Sequence, residues 1–170
     1  LSLLDGPGGV EGHPPLGAAR KVDAPADPPA QRDRGEAHRD CVAARVQAAL
    51  PDALVVHRLD QATSGVMLFG RGAAVQRALS IAFAERRVAK RYEAIVHGLV
   101  AEDEGEIDLP LITDWPNRPR QKVDHETGKP SLTRYAVLSR DALSNTTRLR
   151  LEPVTGRSHQ LRVHFAAIGH

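Results

Sequence analysis

Apolar residues recur at helical spacing in three stretches of the chain. The first covers residues 39–50 and stops at Pro51, and the second covers residues 73–87. The third starts at Ser158, a residue type that favours the N-cap, and continues to the end of the chain. Because spacing at i, i+3, i+4 and i+7 collects apolar side chains on one side of a helix, we predict three amphipathic helices.

Short apolar runs and alternating patterns predict six strands. They cover residues 53–56, 66–69, 90–96, 107–112, 132–138 and 147–152. The last two strands can pair as a meander across a turn at residues 141–145. A break at residues 70–72 separates the second strand from the second helix, and residues 115–129 are predicted to form a long connecting loop. The pattern therefore favours an α+β fold.

The first 34 residues differ from the rest of the chain. Residues 1–35 hold six of the twelve prolines and six of the fourteen glycines, and their apolar positions show no period of a helix or a strand. Such a segment cannot bury enough apolar surface to offset the entropy lost on ordering. We predict that residues 1–34 are disordered or non-native and that residues 35–170 form the domain.

Composition narrows the class of protein only slightly. With 41% apolar residues the chain can build a core, and its net charge of +2 permits an anionic partner without requiring one. The sequence contains no apolar run long enough to span a membrane and no secretory leader, so we expect a soluble, cytoplasmic protein. The single cysteine, Cys41, excludes an internal disulfide and a multi-cysteine zinc site, and its alanine-rich surroundings predict a buried thiol.

Three familiar kinds of site do not fit the sequence. His159 and His164 are five residues apart and so fall on different sides of a helix, which argues against a metal site. Ser64 lacks the first glycine of a G-x-S-x-G nucleophile turn. No glycine-rich phosphate-binding loop with its lysine is present, so neither a metal nor a nucleotide cofactor is predicted.

Asp60, Tyr92 and Arg157 are the remaining candidates for catalysis. Asp60 lies in the stretch 57–65, between an apolar residue and a small polar turn that leads into a strand. In one interpretation Arg157 keeps Asp60 ionised and Tyr92 stacks on a flat substrate while its hydroxyl exchanges a proton. In the other, Arg157 is a structural ion-pair partner and Tyr92 is a half-buried strand residue. Spacing alone leaves both interpretations open.

Three ordered motifs carry a resemblance to a known family. They are H-R-L-D-x-x-T-S-G at residues 57–65, K-x-Y-x-A at residues 90–94, and T-G-R-S-H-Q-L-R-V-H at residues 155–164, with I-G-H behind the last. From about Gly35 to His170 the chain resembles the RluA family of RNA pseudouridine synthases. Residues 109–130 are similar to the subgroup named for RluA itself, whose members modify a tRNA anticodon-loop uridine and 23S ribosomal RNA.

The resemblance implies a fold and an activity. The fold is a mixed, mostly antiparallel sheet with flanking helices, and the activity is the isomerisation of uridine to pseudouridine without a cofactor. Asp60 matches the essential aspartate that acts on the flipped uridine. Tyr92 matches the tyrosine that stacks on the uracil and is the candidate base for the C5 proton, and Arg157 matches the arginine that pairs with the aspartate.

The same resemblance implies how RNA is held. Arg58 is the candidate to fill the space left by the flipped base, because extruding a base has a stacking cost that a side chain can partly offset. The other candidate RNA-binding residues are basic and lie near the motifs or in the predicted loop: Lys90, Arg91, Arg118, Arg120, Lys122 and Arg162. The expected partners are tRNA and 23S rRNA, with no membrane and no metal, and the expected state is a monomer.

The chain also departs from the family pattern. Residues 1–34 do not supply the strand and K-P-x-G segment that usually open the catalytic domain, and the family continues beyond I-G-H with further strands. We therefore expect an incomplete domain, truncated at the C-terminus. The alternatives to an active synthase are a catalytically inactive RNA-binding fragment and a small-molecule hydrolase that uses Ser64.

Overall fold

A computed structural model of the chain describes residues 2–4, 20–24, 41–60 and 62–170, which fall into two compact units. The first unit is Leu1–Val88 and the second is Ala89–His170. The prediction for residues 1–34 falls mostly outside the described residues, since only two short strands, β1 (Ser2–Leu4) and β2 (Arg20–Ala24), belong to that segment. That prediction, like the extent of the domain at residues 35–170, stays untested.

The first unit combines a small antiparallel sheet with two helices. The helices are α1 (Val42–Ala49) and α2 (Gly72–Ala84), and the remaining strands are β3 (Ala53–Val55) and β4 (Gly65–Arg71). The sheet order is β2-β4-β3, with β4 antiparallel to both neighbours. Alternate residues of β4 face inward, so Met67 and Phe69 are almost completely buried, together with Ala53 and Cys41. The predicted burial of the Cys41 thiol is confirmed.

The prediction that residues 70–72 separate the second strand from the second helix is wrong, because β4 continues through Gly70 to Arg71 and α2 begins at the next residue. Gly70 marks a close approach of two backbone segments. A Cβ atom added to Gly70 would lie 2.5 Å from the backbone N and Cα atoms of Gln76. The change of direction falls on Gly72, whose φ of +77° suits a residue without a side chain.

Four strands of the second unit are neighbours in the order β5-β10-β9-β6, and all of these pairs are antiparallel. Their bounds are Arg91–His97 for β5, Glu104–Asp108 for β6, Leu132–Asp141 for β9 and Thr146–Pro153 for β10. The predicted meander is confirmed, since β9 and β10 form a hairpin. Leu149 and Leu151, at alternate positions of β10, are almost completely buried in the core of this unit.

The predicted strand at residues 107–112 is interrupted. β6 ends at Asp108, and a separate strand, β7 (Leu111–Thr113), follows Pro110. Proline has no N–H for a strand ladder, which explains a break at this point. β7 pairs with β8 (Gln121–Val123), and Trp115–Asn117 is a short 3-10 helix, so the prediction of a long loop at residues 115–129 is wrong in detail.

The last helix, α3 (Gln160–Ala167), packs on β8, β9 and β10. Its buried face includes Leu161, His164 and Phe165, as the helical period predicts, and the ring of Phe165 contacts Tyr135 edge-on at 5.7 Å between centroids. The predicted N-cap is wrong, because His159 takes that position with a φ of 54°. Ser158 precedes this left-handed residue and lies outside the first turn.

The described strands and helices confirm the α+β class with antiparallel pairing. Within the described part of the chain, no helix combines the length and the apolar character needed to cross a membrane.

Candidate active site

A short turn presents Asp60 in the first unit. The backbone N–H of Thr63 donates to the carbonyl oxygen of Asp60 at 2.8 Å, which closes the turn. Leu59 and Thr63 are each only 4% exposed, whereas Asp60 between them is half-buried. The turn is therefore anchored at both ends while the carboxyl group stays within reach of solvent. Arg58 is exposed.

His57 anchors the segment that leads into this turn. Its Nε2 atom accepts the backbone N–H of Leu68 on β4 at 3.0 Å, and its ring stacks on Phe83 of α2 at 4.8 Å between centroids. A ring nitrogen that accepts a hydrogen bond carries no proton, so this bond requires an unprotonated Nε2 atom on His57. Sequence reasoning did not assign this role, although His57 is the first residue of the H-R-L-D motif.

Tyr92 lies on β5, opposite Leu151 of β10, and is half-buried. Since neighbouring strand residues point to opposite faces, Arg91 lies on the other face of the sheet from Tyr92. Arg91 is exposed and lines a shallow depression with Arg134 and Arg150. The structure thus separates two predicted site residues that are adjacent in the sequence.

Arg157 is exposed in the segment between β10 and α3. Its Nη2 atom donates to the carbonyl oxygen of Pro130 at 3.5 Å, and its backbone N–H donates to the side-chain Oε1 of Gln160 at 3.0 Å. The backbone of Arg157 is therefore fixed just before α3, while the residue as a whole is exposed.

Gln160 is only 3% exposed, and every hydrogen-bonding position of its amide is used. Oε1 accepts the Thr155 hydroxyl at 2.7 Å in addition to the Arg157 N–H. Nε2 donates to the Leu132 carbonyl at 2.9 Å and to the Thr133 hydroxyl at 3.0 Å, both on β9. The amide thus ties the Arg157 segment to the sheet. Sequence reasoning missed Gln160, whose only signal was its place within the T-G-R-S-H-Q-L-R-V-H motif.

Lys90 reaches the same segment from the start of β5. Its Nζ donates to the Thr155 carbonyl at 3.4 Å, and a Cβ atom added to Gly156 would lie 3.3 Å from that nitrogen. The structure therefore brings Lys90 next to the Arg157 segment.

The predicted site residues are divided between the two units. Asp60 and Arg58 belong to the first unit, whereas Tyr92, Arg157 and Lys90 belong to the second. Other predicted RNA-binding residues of the second unit are exposed: Arg118 and Arg120 between β7 and β8, Lys122 on β8, and Arg162 on α3. Within residues 41–60 and 62–170, no three His, Cys, Asp or Glu side chains are grouped so that they could hold a metal ion.

Comparison with known proteins assigns the family. Residues 24–167 match the sequence profile of the RNA pseudouridylate synthase family. The chain belongs to this family. All three motifs that carry Asp60, Tyr92 and Arg157 lie inside the matched region.

Relatives and solved structures agree with the family assignment. The chain is 55% identical over 137 residues to the dual-specificity RNA pseudouridine synthase RluA of Yersinia pestis, and 53% identical to the RluA of Escherichia coli K12. Each match covers 81% of this chain, but only 66% and 62% of the respective relative. The human RNA pseudouridylate synthase domain containing 1 superimposes with a TM-score of 0.68 at 30% identity, covering 76% of this chain and 56% of the human chain.

Proposed function

We propose that the protein isomerises uridine to pseudouridine in RNA. The reaction replaces the N1–C1′ glycosidic bond of uridine by a C5–C1′ bond, so that C5 loses a proton and N1 gains one. The observation that carries the proposal is the turn at Asp60. It presents a half-buried carboxyl group between two buried neighbours, within a motif of the RNA pseudouridylate synthase family.

We assign Asp60 the central chemical role, as the carboxylate that acts on the flipped uridine. A carboxylate beside the uracil and its ribose can attack carbon or stabilise developing positive charge on the sugar. The anchored turn supports this role because it limits the positions that the carboxyl group can adopt. His57, pinned to β4 and α2, provides the same kind of support on the N-terminal side.

The other two catalytic assignments concern the second unit. We propose that Tyr92 stacks on the uracil and accepts the C5 proton, and that Arg157 is the ion-pair partner of the catalytic aspartate. The half-burial of Tyr92 on the sheet and the exposure of Arg157 are compatible with these roles. No cofactor is required for an isomerisation of this kind.

We further propose that Arg58 fills the space left by the extruded base. The exposed Arg91, Arg118, Arg120, Lys122 and Arg162, together with Lys90, would then contact the RNA backbone, where cations supply most of the affinity. The similarity to dual-specificity RluA proteins favours an anticodon-loop uridine of tRNA and a site in 23S rRNA as substrates. Such a protein acts in the cytoplasm, and we propose that it does so as a monomer.

Release of tritium from C5-labelled uridine in tRNA tests the proposal. The wild-type chain is expected to release tritium, and Asp60→Asn is expected to abolish release without weakening RNA binding. Asp52→Asn is the matched control, because this exposed carboxylate of the same unit pairs with Arg71 on the surface, where ion pairs contribute little to stability. Ser64→Ala should also remain active, since a hydrolase-type nucleophile is not involved.

Two results would contradict the proposal. A wild-type chain that binds tRNA but releases no tritium would show a catalytically inactive RNA-binding fragment, and full activity of Asp60→Asn would remove the aspartate from the mechanism. Mapping of pseudouridine in cellular RNA with and without the gene then identifies the modified nucleotides.

A further inference from the structure

The turn between β7 and β8 exposes a large aromatic side chain. We call residues 114–120 the hairpin tip. Its tryptophan, Trp115, is the only tryptophan in the sequence and is 64% exposed. Residues 115–120 are all exposed, so the indole is not covered by the unit that carries it. A single exposed apolar residue has no significance by itself, and its surroundings decide the interpretation.

The backbone of the hairpin tip is closed by its own hydrogen bonds. The N–H of Asp114 donates to the Arg120 carbonyl at 2.9 Å, and the N–H of Arg120 donates to the Asn117 carbonyl at 3.1 Å. The Asn117 side chain also donates to the Asp114 carboxylate at 2.9 Å. Trp115 is therefore presented on a structured turn, which lowers the entropy lost when a ligand binds to it.

Arg118 lies over one face of the indole. Its Cζ atom is 4.4 Å from the centroid of the Trp115 ring, within the range of a cation–π contact. Because Trp115 remains 64% exposed despite this contact, the opposite face of the ring is open to solvent. One side of the indole thus carries a cation and the other side is a flat apolar surface.

The hairpin tip carries two cations, Arg118 and Arg120, and one carboxylate, Asp114, which accepts a hydrogen bond from Asn117. Lys122 is paired with Asp124 at 3.3 Å, and hydrogen bonds from Thr127 hold the pKa of Asp124 at about 2, so that carboxylate stays charged. No carboxylate lies within ion-pair distance of Arg118 or Arg120 in the described part of the chain. An anionic ligand would therefore meet two cations whose charge is available for binding.

We propose that the hairpin tip binds one unpaired base of the RNA substrate, at a nucleotide other than the target uridine. The base stacks on the open face of Trp115, and its flanking phosphates contact Arg118 and Arg120. This inference rests on the proposed function, because it takes the ligand to be RNA. A flat aromatic face beside cations matches a nucleotide, whereas a protein partner generally requires a wider apolar patch than one indole provides.

Because Trp115 is the only tryptophan in the sequence, tryptophan fluorescence reports directly on binding at the hairpin tip. The full-length chain is titrated with an anticodon stem-loop RNA, and with the same loop sequence paired to a complementary strand, while tryptophan fluorescence and RNA anisotropy are recorded. We expect the stem-loop to quench the fluorescence as it binds, because its loop bases are free to stack on Trp115. The fully paired RNA should bind without comparable quenching.

Substitutions separate stacking from charge. Trp115→Ala should weaken binding of the stem-loop by about 5- to 150-fold, the effect of losing one stacked base, and Trp115→Phe should retain part of the affinity. Leu143→Ala is the matched control, because Leu143 is a fully exposed apolar residue at the turn between β9 and β10. The control should bind RNA like the wild type.

Failure of the hairpin-tip proposal and failure of the proposed function give different experimental results. Binding of the stem-loop without quenching, or wild-type affinity of Trp115→Ala, would overturn the hairpin-tip proposal while tritium release continues to support the isomerase. Equal quenching by an acidic polypeptide would also overturn it in favour of a protein partner. Absence of tritium release from the wild type, by contrast, is a failure of the proposed function, and quenching by the stem-loop would still be observed if the hairpin tip binds RNA.

Discussion

The side-chain carbonyl of Gln160 accepts the backbone N–H of Arg157 at 3.0 Å while the amide nitrogen of the same residue donates to β9. One buried amide therefore links the segment of a proposed catalytic arginine to the sheet. The link does not involve the guanidinium group, so the position of the backbone is set independently of any substrate.

Replacement of Gln160 by alanine should loosen this segment. The substitution removes the four hydrogen bonds of the buried amide, and the loss of one buried hydrogen-bond partner costs about 1–3 kcal/mol. We expect a lower free energy of unfolding in urea and slower tritium release at saturating RNA. Ala166→Ser, at an exposed position of α3, is the control and should leave both quantities unchanged. An unaltered unfolding midpoint for Gln160→Ala would argue against the link.

The stacking of His57 on Phe83 should be measurable as a coupling energy. Double-mutant cycles on aromatic pairs give about 0.5–1.5 kcal/mol beyond area burial. We expect a coupling of this size between His57→Ala and Phe83→Leu in the free energy of unfolding. His57→Phe keeps an aromatic ring but removes the acceptor of the Leu68 N–H, so it should recover only part of the loss. Strictly additive effects of the two substitutions would show that the contact does not stabilise the Asp60 segment.

The stability of the second unit should depend on pH through His164. This side chain is completely buried, its Nε2 bonds to the Leu109 carbonyl at 3.1 Å, and its Nδ1 has no partner among the described residues. Burial lowers the pKa of His164 below its usual value of 6.5. The unfolded chain then binds a proton that the folded chain resists, so stability is complete above pH 6.5 and is lost as the pH falls towards the folded pKa.

Urea unfolding between about pH 5 and about pH 8 checks this expectation. His164→Leu should have a smaller loss of stability at the acidic end than the wild type, whatever its stability at neutral pH. His125→Gln, which replaces an exposed histidine, should retain the wild-type pH dependence. Identical pH profiles for the wild type and His164→Leu would show that His164 does not cause the pH dependence of stability.

A methyl group at Gly128 should disrupt the turn behind the hairpin tip. A Cβ atom there would lie 2.2 Å from the Asp124 carbonyl oxygen and 2.9 Å from the carbonyl of Pro110, and both neighbours are backbone atoms that cannot rotate away. We expect Gly128→Ala to destabilise the protein by at least the ~1–3 kcal/mol typical of overpacking. Glu126→Ala, two residues earlier at an exposed position, is the control for thermal unfolding. A melting temperature equal to that of the control would contradict the clash.

The spacing of apolar residues predicted the secondary structure where neighbouring residues determine it. The alternation at residues 132–138 and 147–152 predicted the paired strands β9 and β10, and the helical spacing at residues 73–87 predicted α2. This spacing did not predict where a strand ends when pairing with another segment of the chain determines its length. Gly70 stays in β4 because it pairs with Leu54 of β3, and nothing in the local pattern indicates that pairing.

For the candidate site too, the sequence indicates residue types but not tertiary contacts. The motifs predict Asp60, Tyr92 and Arg157 as site residues, and this prediction stays untested by the structure. They did not reveal what His57 and Gln160 do, since the partner of His57 lies eleven residues away and a partner of Gln160 lies twenty-seven residues away. Such support depends on tertiary contacts, which the one-dimensional pattern does not contain.

The hairpin of β9 and β10 also has a consequence for the order of folding. Its two strands are joined by a short turn at residues 142–145, whereas β5 pairs with β10 across about fifty residues. Closing a short loop loses less chain entropy than closing a long one, so we expect the hairpin to form in the transition state and β5 to join later. In folding kinetics, substitutions at Val137 should then slow folding, and substitutions at Ala94 should mainly accelerate unfolding. The strand that carries Tyr92 would be added to a hairpin that has already formed beside the Arg157 segment.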